Sequence, residues 1–114
     1  MIQFPVSIPD PITSAANTEV KSLRALHERK YRKKSGWFLA EGTRICREAV
    51  ELGWDMYRLA FLAGRENDPV MRPLLTGLAA SGGRALPMTE TLMQRISRKN
   101  NPQILIGAFG QRWQ

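Results

Sequence analysis

Apolar positions recur along this chain in two rhythms, and the switch between them marks its elements. Val20, Leu23 and Leu26 share one helical face with Tyr31 at its edge, while Lys21, Arg24 and Arg32 project from the opposite face. Ser14 and Asn17 lie just before this run, and each carries the short side-chain oxygen that caps a first turn. The spacing predicts a first helix, apolar within and basic without, that stops at Lys34-Ser35-Gly36. Next, "WFLA" has the aromatic and aliphatic density of a short buried strand. A helix over about residues 43–52 follows, with Ile45, Ala49, Val50 and Leu52 expected inward and Gly53 at its end. "YRLAFLA" reads as a second strand, and residues 69–81 as a helix that buries Val70, Leu74, Leu75 and Leu78 before "SGG" ends it. "RALPM" is then a short strand, "TETLMQRI" a short helix capped by Thr89, and "QILIGAF" a last apolar strand.

Strands that alternate with helices make crossover connections, which place a sheet between two helical layers. The expected fold is therefore α/β, a three-layer α/β/α sandwich with a small, mostly parallel sheet, preceded by the basic helix. Three prolines within residues 5–11 deny regular hydrogen bonding, so residues 1–11 are expected to form a flexible leader and residues 12–114 a single domain. Solenoid and coiled-coil architectures are unsupported, because no repeat, heptad series or low-complexity tract is present.

Composition narrows the functional classes. With 114 residues and 43% apolar content, the chain suits one packed core of modest size. Its formal charge of +7 and pI near 10.3 favour a polyanionic partner, nucleic acid before others. A single cysteine, Cys46, excludes an internal disulfide, and a single histidine, His27, leaves no ordinary His/Cys metal cluster. The N-terminal stretch has no early positive charge and no long apolar run, so no signal peptide or membrane anchor is expected and a cytoplasmic location follows by default.

Candidate chemistry is sparse. No phosphate-binding loop and no dinucleotide glycine pattern is present. Cys46 beside Ile45 on a core-packing helix reads as an inert thiol, and His27 as a helix-surface residue. Glu41 and Glu48, seven residues apart, suit a structural or arginine-orienting role better than acid–base work. No catalytic, cofactor or metal residue is assigned.

The basic arm carries the stronger signal. Arg29, Lys30, Arg32, Lys33 and Lys34 bracket Tyr31, and five cations in six positions repel one another unless a polyanion neutralises them. Tyr31 could stack on a base or pack inward, and its place at the edge of the apolar stripe favours packing. In "EGTR", Gly42 would let a backbone approach closely at a helix start, and Arg44 adds a charged fork. Glu41 would repel phosphate, so its expected work is to hold Arg44 or a basic side chain of the first helix, or to accept from a base or ribose hydroxyl.

Taken together, "ITS", "NTEVKSLRALHERKYRKKSGWFLAEGTRICREAVELG" and "ISRKNNPQILIGAF" resemble the N-terminal substrate-binding domain of SpoU-type (TrmH-family) RNA 2'-O-ribose methyltransferases. The pattern falls on Asn17, Val20, Lys21, Leu23, Arg24, Arg29, Lys30, Arg32, Gly36, Phe38, Leu39, Glu41, Gly42, Arg44, Glu48 and Ala49, densely over residues 12–53 and thinly over 54–95. Ile104 departs from it, standing where that family often has glycine after Pro-Gln.

The resemblance implies a fold similar to kink-turn-binding ribosomal proteins, and a domain that binds structured rRNA or tRNA without catalysing anything itself. The resemblance and the charge of the basic arm together give an expected RNA-binding set of Asn17, Lys21, Arg24, Arg29, Lys30, Arg32, Lys33, Lys34, Glu41, Gly42 and Arg44. The resemblance also implies that S-adenosylmethionine, the knot and the dimer interface belong to a catalytic domain beyond the equivalent of Phe109, so that this chain holds no cofactor and stays a monomer. The end "GQRWQ" falls where a linker would begin, which suggests an excised or truncated piece. Two other readings fit the residues: a stand-alone kink-turn or ribosome-associated RNA-binding protein, and a protein-interaction domain with a basic docking face.

Overall fold

The structure, a computed structural model, describes residues 4–99 and 103–110. Residues 1–3 of the expected leader, Asn101 and Pro102 of the "NPQ" match, and the closing residues 111–114 lie outside the described residues. The order is α1 (Thr18–Ala25), α2 (Arg29–Ser35), β1 (Trp37–Glu41), α3 (Thr43–Glu51), β2 (Met56–Leu62), α4 (Met71–Ala80), β3 (Arg84–Met88), α5 (Glu90–Ile96) and β4 (Leu105–Gly110). A single 3-10 turn, Arg65–Asn67, links β2 to α4.

The four strands form one sheet in the order β1-β4-β2-β3. Strands with apolar residues on both faces must be covered on both faces, so β4, buried at every position, and β2 take the interior. One sheet face, with Leu59, Phe61, Leu105 and Phe109, packs on α3 and α4. The other, with Ala60, Leu86, Ile106 and Ala108, packs on α1 and α5. The expected three-layer sandwich is present.

The sheet is mixed rather than simply parallel. β1, β2 and β3 share one direction, yet β4 runs against them between β1 and β2, so β2–β3 is the one parallel pair among the described strands. The reversal is set at the start of β4, where Leu105 pairs with Phe61 at the same end of the sheet at which Met88 closes β3 beside Leu62. The chain re-enters the sheet at the end where β3 left it, and Leu62 donates its N–H to Ile104 O at 2.9 Å.

Two local expectations are corrected. The single first helix is broken: α1 ends at Ala25, Glu28 is extended (φ −98°, ψ 132°), and α2 starts afresh at Arg29. On α3 the inward side chains are Cys46, fully buried, with Ala49 and Val50, while Ile45 and Leu52 are 50% and 76% exposed. A 3.6-residue period cannot put 45, 49 and 52 all on the face that 46 and 50 occupy. In the proline-rich segment, residues 4–11 form no helix or strand, but Phe4, Val6 and Ile8 pack half-buried on the core, and Ile12 bridges to Met88.

Candidate nucleic-acid interface

The break between α1 and α2 shapes the basic arm. Asn17 caps α1, its Oδ1 accepting from Glu19 N at 2.8 Å, so this residue serves the helix start. The Arg32 guanidinium folds back and donates to Leu26 O at 2.9 Å, satisfying a carbonyl left at the end of α1. His27 at the joint is committed to Ile96 O at the end of α5. Arg29, Lys30, Lys33 and Lys34 remain exposed on α2, as do Lys21 and Arg24 on α1. Gly36, left-handed at φ 76°, ends α2 and turns the chain into β1.

Glu41 holds neither Arg44 nor a basic side chain of the first helix. Its carboxylate accepts from Ser97 Oγ at 2.5 Å and from Arg98 N at 3.1 Å, and Lys99 Nζ donates to its carbonyl at 3.1 Å. Arg44 is oriented instead by Glu48, one turn along α3, at 3.3 Å, with its side chain 93% exposed. Glu41 therefore pins the turn after α5 to the end of β1. No local sequence rule could find this pair, because 56 residues separate Glu41 from Ser97.

Gly42 has φ 114°, which other residues rarely adopt, and a Cβ there would come within 3.3 Å of Gln103 Oε1. Its amide is not free for phosphate, since it donates to Leu105 O at 3.0 Å. The glycine shapes the turn from β1 to α3 and leaves Arg44 as the cation of "EGTR".

Three basic residues not assigned from sequence complete the surface. Arg95 and Arg98 line a groove of about 520 Å³ with Lys21, Arg24 and Tyr31. Lys99 lines a second concavity, of about 350 Å³, with Gly42 and Arg44. The turn after α5 thus joins the basic arm to Arg44 along one edge of the molecule. The only sequence signal for it was "RISRK" ahead of an apolar strand. Tyr31 is 39% exposed with Lys30 Nζ 4.9 Å from its ring centroid, so it is a surface aromatic and not part of the core.

The rest of the molecule offers little chemistry. Cys46 is buried, donates to Ala40 O at 3.3 Å, and burial pushes its thiol up to about 12. Among the described residues no cluster of three or more His, Cys, Asp or Glu could hold a metal, and no helix is long and apolar enough to cross a membrane.

Residues 17–107, which contain both the basic arm and the Glu41-pinned turn, match the family model described as the MRM3-like substrate binding domain. The chain belongs to this family. As an MRM3-like substrate-binding domain it is similar to a solved rRNA methyltransferase from Sinorhizobium meliloti, at 32% identity and TM-score 0.79, over 92% of this chain and 38% of that one. An AdoMet-bound rRNA methyltransferase from the same organism is 32% identical at TM-score 0.76, over 96% and 38%. A solved RNA 2'-O ribose methyltransferase is 26% identical at TM-score 0.68, over 91% and 41%. The substrate-binding domain described here thus spans about two fifths of the enzymes it matches. No curated protein sequence matches the chain.

Proposed function

We propose that this chain is the RNA-recognition domain of an S-adenosylmethionine-dependent 2'-O-ribose methyltransferase, gripping structured rRNA or tRNA and contributing no chemistry of its own. The observation that carries the reading is the cationic edge running from Lys21 and Arg24 through Arg95, Arg98 and Lys99 to Arg44. Its acids are occupied internally: Glu41 by the turn after α5, Glu48 by Arg44, and Glu28 by Lys30 at 3.9 Å. What remains is net positive, and it suits phosphates and the shape of the RNA more than base edges.

Among the described residues, the candidate groups for chemistry do not fit the methyl donor. Gly42 spends its amide on Leu105, Cys46 is a neutral buried thiol, and His27 is tied to a carbonyl, so no step is assigned here. S-adenosylmethionine would be held by another domain of the parent enzyme, which would also supply its dimer contact.

Fluorescence anisotropy of a labelled rRNA hairpin, titrated at several salt concentrations, tests the reading. Joint reversal of Arg24, Arg95 and Arg98 to glutamate is expected to lower affinity by more than tenfold and to flatten the salt dependence, by roughly 0.7–0.9 in log–log slope for each phosphate that is no longer neutralised. Unchanged affinity and slope would remove this edge as the RNA surface.

A further inference from the structure

The two grooves beside Tyr31 differ in chemistry. On one side lies the 520 Å³ groove with Arg24, Arg95 and Arg98. On the other lies a groove of about 660 Å³ lined by the apolar Ala25, Leu26 and Trp37 together with Lys21 and Lys34. No acid lines this second groove. Tyr31 borders both, so one aromatic ring, 39% exposed, is shared by an apolar groove and a groove whose three arginines outnumber its one acid, Glu28.

The apolar groove is braced from behind. Tyr57 stacks on Trp37 at 5.0 Å and 18°, the Arg58 guanidinium lies 5.3 Å from the same ring centroid, and Glu19 holds Arg58 at 2.8 Å. The break between α1 and α2 opens the other side, because the Arg32 bond to Leu26 O fixes where α2 leaves α1. Trp37 is therefore a fixed wall, and Tyr31 the exposed ring.

We infer that the groove between α1 and α2 is a subsite for one unstacked nucleobase of the bound RNA, with Tyr31 as the stacking ring and Lys21 and Lys34 facing the flanking phosphates. The assignment rests on the RNA-recognition role proposed above. A flat aromatic disc joined within a few ångströms to an anion is the ligand that uses both grooves at once, since base stacking on a side-chain ring needs no particular base edge. An acidic protein segment would engage the cationic groove and leave the apolar one unfilled. A base inside a duplex cannot present its face, so the subsite selects loops, bulges and single-stranded ends.

The test pairs two RNAs with three proteins. The RNAs are a hairpin with 2-aminopurine in its loop and a blunt duplex of the same stem; the proteins are the full chain and its Tyr31→Ala and Tyr31→Phe variants. The full chain and Tyr31→Phe are expected to quench the loop fluorophore, while Tyr31→Ala leaves it bright and binds the hairpin on the order of tenfold to a hundredfold more weakly, with duplex affinity and salt slope unchanged. Tyr31 is exposed, and circular dichroism with thermal melts confirms that both variants fold. Hairpin affinity unaffected by Tyr31→Ala, or an equal loss on hairpin and duplex, would overturn the subsite while leaving the RNA-recognition role standing. If the full chain binds neither RNA, that role itself falls. A dimer of the chain that Tyr31→Ala abolishes in sedimentation would assign the groove to a second copy and also overturn the subsite.

Discussion

Removing the carboxylate of Glu41 separates two roles that its place beside the basic surface leaves in competition. In the structure this side chain accepts a hydroxyl bond from Ser97 at 2.5 Å in a part-buried setting and an amide bond from Arg98 at 3.1 Å nearer to water. A hydrogen bond to an ionised partner contributes about 1.5 kcal/mol at the low end of its range, and the wetter one is discounted to about 1 kcal/mol. Glu41→Ala should therefore destabilise the domain by about 2.5 kcal/mol, roughly a 10 °C fall in melting temperature for a chain of this size. Glu41→Gln keeps one acceptor oxygen and should lose about half as much. Thermal and urea unfolding of both variants, with a double-mutant cycle to Ser97→Ala, measures the pair directly. The RNA readout carries the sign. If Glu41 merely repelled phosphate, its neutralisation would tighten RNA binding, whereas loosening the turn that presents Arg98 and Lys99 should weaken it. A loss of stability under about 1 kcal/mol for Glu41→Ala, together with tighter RNA binding, would refute the pinning role.

The remaining expectations concern residues whose roles the tertiary structure reassigned. Asn17→Ala, which removes the cap on α1, and Arg32→Ala, which frees Leu26 O, should each cost about 1 kcal/mol of stability. Lys33→Ala should leave the melting temperature unchanged and lower RNA affinity at low salt. For Cys46, burial raises the folded thiol from the ordinary 9.0 to about 12, so its neutral form is favoured in the native state. Its contribution to stability is fully present below pH 9 and is lost as pH rises from 9 to about 12. Urea midpoints across that window should fall less steeply in Cys46→Ala than in the parent chain, and iodoacetamide at about pH 8 should label the thiol only once the domain unfolds.

Hydrophobic periodicity fixed much of this molecule on its own. It marked β1, β3, α4 and α5 almost to the residue, because buried faces demand apolar side chains at set intervals and because Thr89 and Gly36 are local start and stop signals. The density of cations before Gly36 marked the basic arm, since charge is a property of composition before it is one of shape.

Three features depended on the folded chain. The place of β4, antiparallel between β1 and β2, is a matter of strand pairing that alternating elements do not encode. The break after α1 is accompanied by Arg32 reaching Leu26 O and His27 reaching Ile96 O, contacts that the continuous helical pattern across residues 20–31 does not encode. The joining of the basic arm to Arg44 depends on Glu41 binding the turn at Ser97, a pair that periodicity cannot see because the two residues meet only when β1 lies beside β4. Sequence determined which residues are apolar, which are charged and where most elements stop; tertiary structure decided which apolar residues are buried and which charges face outward together, because separation in space is set by packing and not by order along the chain.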